Sequence, residues 1–378
     1  MKKENLDKII SLRHELHRHP DLSLKEKETK DRLIAFIRQN TSLLIEDRGS
    51  WCYACNKEGK NGLAFRADMD ALPIEEGREF PYHSQNPGIS HKCGHDGHMA
   101  ALCGLALELE QAEFEKPIYL IFQPAEEIGK GAVLSSALIQ EKDIREIYAF
   151  HNLGGFPEKS IVYRRGLSQP ASEGLTLSLF GKASHASAPE KGIHPAPAIA
   201  ELITFADTLG NENPSESMRL CTIVNVRIGT KDFGISPGEG EISFTLRAEE
   251  ESRMQEMETA LLEKAEELAK TSGLRLQYER KDYFPETRNH ETAIQRILQA
   301  AKELGKECIE MKDLWRASED FGYYTKKCRG AIFYIGTGEN RPALHTPEYD
   351  FNDAILETAA DLFFQICLSS EFPDLSFK

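Results

Sequence analysis

Ile118-Tyr119-Leu120-Ile121-Phe122-Gln123-Pro124-Ala125-Glu126-Glu127 is an apolar run of five residues that stops at a proline and two acids. So short a run reads as a strand, and Pro124 closes it. Upstream, residues 63–67 (Leu-Ala-Phe-Arg-Ala) form another strand, which enters the loop Asp68-Met69-Asp70-Ala71-Leu72-Pro73. Between the two strands, Met99, Leu102, Leu105, Ala106 and Leu109 recur at helical spacing. Downstream, residues 147–150 make a third strand that ends in His151. Strand, helix, strand, helix, strand, with reactive side chains near the carboxyl ends of the strands, predicts an open α/β sheet that binds ligands at those ends.

Outside this unit, residues 6–40 carry helical periodicity broken by His19-Pro20, which predicts two helices with a break near residues 19–23. After Gly166 the pattern changes. Strand 175–180, helix 195–209, strands 220–227 and 241–248, helix 251–271 and strand 274–283 spell β-α-β-β-α-β, the ferredoxin-like order. The chain then returns through helix 291–304, the turn Ser318-Glu319-Asp320-Phe321-Gly322, strand 331–336 and a last helix, 353–368. The expected organisation is a catalytic domain in two parts, residues 1–166 and 286–378, with residues 167–285 inserted between them.

A chain of 378 residues exceeds what one core usually holds. Its formal charge of -15 argues against nucleic acid and against an anionic membrane surface. No signal peptide or membrane span is visible, so the expected compartment is the cytoplasm. Eight cysteines without regular spacing fit a reducing environment. Cys52 and Cys55 look like a C-x-x-C pair, but an odd separation on a strand sends the two thiols to opposite faces, which predicts structural cysteines.

The chemistry concentrates in His91-Lys92-Cys93-Gly94-His95-Asp96-Gly97-His98, Glu126-Glu127, His151-Asn152 and Leu344-His345-Thr346-Pro347. Thiolate, imidazole and carboxylate together suit a borderline-soft divalent ion such as zinc, manganese, cobalt or nickel. Their scatter over several elements predicts a site assembled by the fold, in a two-metal hydrolase. Adjacent carboxylates leave the backbone in different directions, so one of Glu126 and Glu127 can bind metal while the other faces a metal-bound water.

Taken with Arg66-Ala67-Asp68-Met69-Asp70-Ala71-Leu72-Pro73 and Ser318-Glu319-Asp320-Phe321, these motifs occur in an order that resembles the amidohydrolase branch of the aminoacylase/carboxypeptidase metallopeptidases. Hippurate hydrolase, N-acetyl-amino-acid deacetylases and plant auxin-conjugate hydrolases belong to that branch. The resemblance spans essentially the whole chain. It implies a mixed-sheet catalytic domain with an inserted lid that dimerises, two divalent metals per subunit, and an N-acyl amino acid as substrate. It makes Cys93, His95, Glu127, His151 and His345 the ligands and Glu126 the general base. By the same resemblance His185 enters the partner's site to polarise the scissile carbonyl, and Arg247 holds a substrate carboxylate.

Other readings stay open for single residues. Asp70 either orients a ligand from behind or caps a turn. His185 is otherwise an ordinary loop histidine, and Arg247 an exposed arginine at a strand end. His98, one turn after His95, is expected to cap or pack within its helix. Asp68 stands where related peptidases place a histidine ligand. The chain also departs from its relatives at Gly234-Ile235-Ser236-Pro237, where Asn-Val-Ile-Pro is common, and at Glu190, His194 and Gly154. None of these changes touches the expected ligands. The rival functions are a dipeptidase or carboxypeptidase on the same scaffold and a silent metal-binding scaffold.

Overall fold

The computed structural model describes residues 1–78, 80–210 and 217–369. The chain divides into two compact units. One comprises Met1–Ser168, Thr287–Leu314 and the chain from Glu319 on; the other comprises Gln169–Glu286 and Trp315–Ser318.

The first unit is built on an eight-stranded mixed sheet. Its strands run in the order Leu44–Asp47, Cys52–Cys55, Ile118–Gln123, Gly62–Asp68, Ile144–Leu153, Arg329–Gly336, Ile161–Tyr163, Cys308–Glu310. The four strands from Ile118–Gln123 to Arg329–Gly336 are mutually parallel. Side chains alternate strictly across this central part. Phe65, Leu120 and Phe122 join the apolar cluster under the His95–Leu109 and Leu356–Leu368 helices, whereas Ala64, Tyr119 and Ile121 join a second cluster on the other face. Burial on both faces explains why these strands read as unbroken apolar runs. Cys52 and Cys55 fall in the two different clusters, each a free thiol.

All fifteen residues of the His95–Leu109 helix are buried, which accounts for its nearly uniform apolar surface. The expected break after the first helix is present: Lys3–Arg18 ends before Pro20, and the next helix begins at Lys27. Parallel register carries Asp68 opposite Gln123, and His151 opposite Tyr334. The polar ends of neighbouring strands therefore arrive at the same edge.

In the second unit four antiparallel strands lie in the order Arg219–Ile228, Glu239–Ala248, Ala171–Phe180, Arg275–Phe284. Leu175, Leu177, Leu179, Ile242, Phe244 and Leu246 pack beneath the helices Ala196–Asp207 and Glu251–Ser272. Intervening residues such as Thr176 and Ser243, whose hydroxyls meet at 2.9 Å, occupy the opposite face. This strand order is the ferredoxin-like one. A separate short ladder pairs Ser184–His185 with Ile235–Ser236. Among the described residues no helix is long and apolar enough to cross a membrane.

Candidate metal centre

Gly94 adopts φ +99 and turns the chain into the His95–Leu109 helix, so Cys93 lies just outside the helix and His95 begins it. Cys93 Sγ lies 3.4 Å from His151 Nε2. The other nitrogen of His151 donates to its neighbour's carbonyl, Nδ1 to Asn152 O at 2.9 Å, which turns the Nε2 lone pair toward the thiol. His95 is set the same way. Its Nδ1 donates to the Asp70 carbonyl at 2.8 Å, and its Nε2 faces Glu127 Oε1 at 3.8 Å and Glu126 Oε2 at 4.0 Å. His345 Nε2 is 3.5 Å from the same Glu127 oxygen. The structure thus brings Cys93, His95, Glu126, Glu127, His151 and His345 to one place, from four separate segments of the chain.

Among the described residues five groups offer ligand atoms within 4.8 Å of one another: Asp68 with His95 and His98, Glu126 with Glu319 and Asp320, and three built on the expected ligands, namely Cys93 with His95 and His151, Cys93 with Glu127 and His345, and His95 with Glu126 and Glu127. Cys93, His95 and Glu127 each belong to two of these last three groups, which links them into one cluster. His95 Nε2 and Glu127 Oε1 are buried without a hydrogen-bond partner, an arrangement that costs energy unless something fills it. Burial, and then Glu127 and Glu126, push the Cys93 thiol well above its usual range, so it keeps its proton until a cation takes the proton's place. The sulfur, nitrogen and oxygen donors present therefore fit divalent metal ions.

The Glu126-Glu127 loop is held by residues distant in sequence. Ala125 takes φ +51, and its N–H donates to buried Glu26 Oε1 at 2.7 Å. Asp70 accepts from the Glu126 N–H at 3.1 Å, the Glu127 N–H at 3.0 Å and Ser23 Oγ at 2.7 Å. Asp70 also lies 3.4 Å from His95 Nδ1. It therefore braces the Glu126-Glu127 loop and the His95 ring together. Burial opposes ionisation of Asp70, but His95, Ser23 and the backbone donor outweigh it and hold the carboxyl below its ordinary range.

Behind the loop lies an acidic network. Arg66, buried, donates to Asp68 Oδ2 at 2.8 Å, Glu319 Oε1 at 2.8 Å, Asp320 Oδ1 at 2.9 Å and Gln123 Oε1 at 2.8 Å. Burial, then repulsion from Glu319, Glu127 and Asp320, lift Glu126 well above the carboxylate range. Burial raises Asp320 to about 7 despite Arg66. Burial alone would lower His95, yet Asp68, Asp70 and Glu127 raise it to about 10. The site holds more acid than the neighbouring cations neutralise, which favours an added cation.

Sequence reasoning gave Arg66, Gln123, Glu319 and Asp320 no task, although a charged residue inside an apolar strand was a usable sign. His98 does not pack quietly within its helix. Its nitrogens meet Asp68 Oδ1 and Asn152 Oδ1, both at 2.7 Å. His185 and Arg247 belong to the second unit. His185 Nδ1 accepts from the Ser187 N–H at 3.1 Å, and Arg247 donates to the Arg316 carbonyl.

The profile of peptidase family M20/M25/M40 matches residues 64–369. The chain belongs to this family. As a family member it is a metallo-amidohydrolase. The N-acetylcysteine deacetylase of Bacillus subtilis is 28% identical over 370 residues, with 96% of each chain covered. The hippurate hydrolase of Campylobacter jejuni is also 28% identical, over 94% of this chain and 95% of its own. Among solved structures, a dinuclear metal-binding M20 peptidase from Bacillus subtilis superimposes with a TM-score of 0.82 at 26% identity, covering 97% of this chain and 98% of that one.

Proposed function

We propose that this enzyme hydrolyses the amide bond of N-acyl amino acids, with two divalent metals on Cys93, His95, Glu127, His151 and His345 and Glu126 as general base. The observation that carries the reading is the convergence of those six side chains, with Glu127 facing His95 and His345 while Glu126 lies beside them. Similarity to a deacetylase of N-acetylcysteine and to a hippurate hydrolase supports an acyl-capped substrate.

Bound there, a metal pair would supply a water acidic enough to ionise near neutral pH and a Lewis acid for the carbonyl oxygen. The remaining work falls to the chain. Glu126 takes a proton from the attacking water and returns it to the departing amine. In the metal-free chain, burial and then the neighbouring Glu319, Glu127 and Asp320 raise its proton affinity. Because His185 Nδ1 accepts the Ser187 N–H, its proton resides on Nε2 and points outward as a donor, which suits an oxyanion formed in a partner copy's site. Arg247 has no carboxylate partner among the described residues, as a receptor for the substrate's own carboxylate requires. All eight cysteines are free thiols, in keeping with a cytoplasmic enzyme.

Free-amine release from N-acetyl amino acids, benzoylglycine and matched dipeptides, measured on manganese-, zinc-, cobalt- or nickel-loaded protein, tests this reading. Turnover of the capped compounds is the expected result, and release from dipeptides alone would replace it with a peptidase. Glu126→Gln should keep its metal while kcat falls by about 10²–10⁴-fold, the usual worth of a positioned base. Wild-type turnover in that variant would remove Glu126 from its role.

A further inference from the structure

The mechanism above leaves one buried imidazole of the centre without a task. His98 Nδ1 hydrogen-bonds Asp68 Oδ1 and its Nε2 hydrogen-bonds Asn152 Oδ1, each at 2.7 Å. The Asn152 amide is oriented from its other end as well: its Nδ2 donates to Tyr349 Oη at 2.7 Å and to the Cys93 carbonyl at 3.2 Å. Asp68 in turn is anchored by Arg66 at 2.8 Å. Through these bonds His98 ties together the end of the Gly62–Asp68 strand, the end of the Ile144–Leu153 strand, the Cys93 loop and the segment after His345.

We propose that His98 is a positioning residue that sets the separation of the Cys93 and His151 ligand atoms, and through it the metal affinity of the inner group. The inference rests on the metal-centre reading given above. Asn152 follows His151 directly, and its carboxamide is the polar link from that strand end to the Cys93 backbone. In the structure the amide presents its N–H to the Cys93 carbonyl and its oxygen to His98 Nε2, so the two contacts hold it from opposite sides. Without the His98 contact one side of the amide is no longer held, and it is free to turn over. Two oxygens would then face each other, and the 3.4 Å spacing of Cys93 Sγ and His151 Nε2 would lose its support. The His98 ring also stands edge-on to the His151 ring, with centroids 4.6 Å apart. A filler of core space would use that packing alone, so the two roles separate experimentally.

The test compares wild type, His98→Phe and His98→Gln by cobalt(II) titration against a competing chelator, by the thiolate–cobalt absorption band, and by melting of the metal-free protein. Phenylalanine keeps ring packing and loses both hydrogen bonds; glutamine keeps one donor. Loss of such supporting bonds lowers metal affinity about 10–100-fold. His98→Phe should show that loss for one of two cobalt ions, with a weakened or shifted thiolate band, and His98→Gln should fall between it and wild type. If His98→Phe fails to fold, His98→Gln decides alone. Lower melting with unchanged cobalt affinity and an unchanged band would overturn the proposal and make His98 a packing residue. Wild type that binds two cobalt ions beside unaltered variants sinks this inference only, whereas wild type that binds none sinks the metal centre as well.

Discussion

Asp70→Asn removes a charge and one acceptor while preserving shape, so its effect isolates what the carboxylate does. In the native chain one oxygen takes the Glu126 N–H and the other takes the Glu127 N–H together with Ser23 Oγ. Asparagine has a single oxygen. Turned to keep Glu127 and Ser23, it presents its NH2 to the Glu126 N–H, and a buried backbone donor is left unsatisfied. That omission costs about 1–3 kcal/mol, and the remaining bonds lose the strength a charged acceptor gives them. About 3 kcal/mol of stability should therefore disappear, together with roughly 10–100-fold in metal affinity, because the loop carrying Glu127 and the His95 ring lose a shared support. Urea denaturation of the metal-free protein measures the first quantity and chelator competition the second. A variant within about 0.5 kcal/mol of wild type, with unaltered metal binding, would refute the claim that Asp70 holds the loop.

The carboxylate loop should also be intolerant at Gly131, where an added Cβ would sit 1.6 Å from the Pro124 carbonyl oxygen. Gly131→Ala should cost at least about 2 kcal/mol and shift metal affinity, and a melting curve equal to wild type would contradict the close approach. In the second unit, burial and then Glu258 raise Glu173 from its ordinary 4.5 to about 7, with Arg280 only partly opposing them. The folded chain keeps that proton between about pH 4.5 and 7 while the unfolded chain releases it, so stability falls as pH rises through this window. Glu173→Gln should thus be close to neutral at pH 4 and stabilising by about 1–3 kcal/mol at pH 8, and equal effects at both pH values in denaturant titrations would reject the argument.

The elements of the second unit were legible because each of its segments obeys one period. The strand expected at 175–180 is Ala171–Phe180, and the helix expected at 251–271 is Glu251–Ser272. Pro20 likewise announced the break between the first two helices. The three-residue strands Ile161–Tyr163 and Cys308–Glu310 carry too few residues for any period to show, and sheet order depends on long-range pairing that no local pattern encodes. The candidate ligands stood out because thiol, imidazole and carboxylate cluster in a few short motifs, and the family resemblance alone gave each its role. Most of the residues that hold them did not. Glu26 holds Ala125 from 99 positions away, and Arg66 reaches Glu319 across 253. Only the fold makes such residues adjacent.

The two ligand groups that share Cys93 differ in their access to water. Cys93, His95 and His151 are buried, while the His345 side chain is 49% exposed and Glu127 lies at the boundary. A centre built this way has a sheltered half and an open half. An ion bound in the open half would sit beside solvent at His345, whereas one in the sheltered half would be enclosed by the core. The enzyme would then carry a permanent ion and a replaceable one, and the metal in the growth medium would set the second without touching the first.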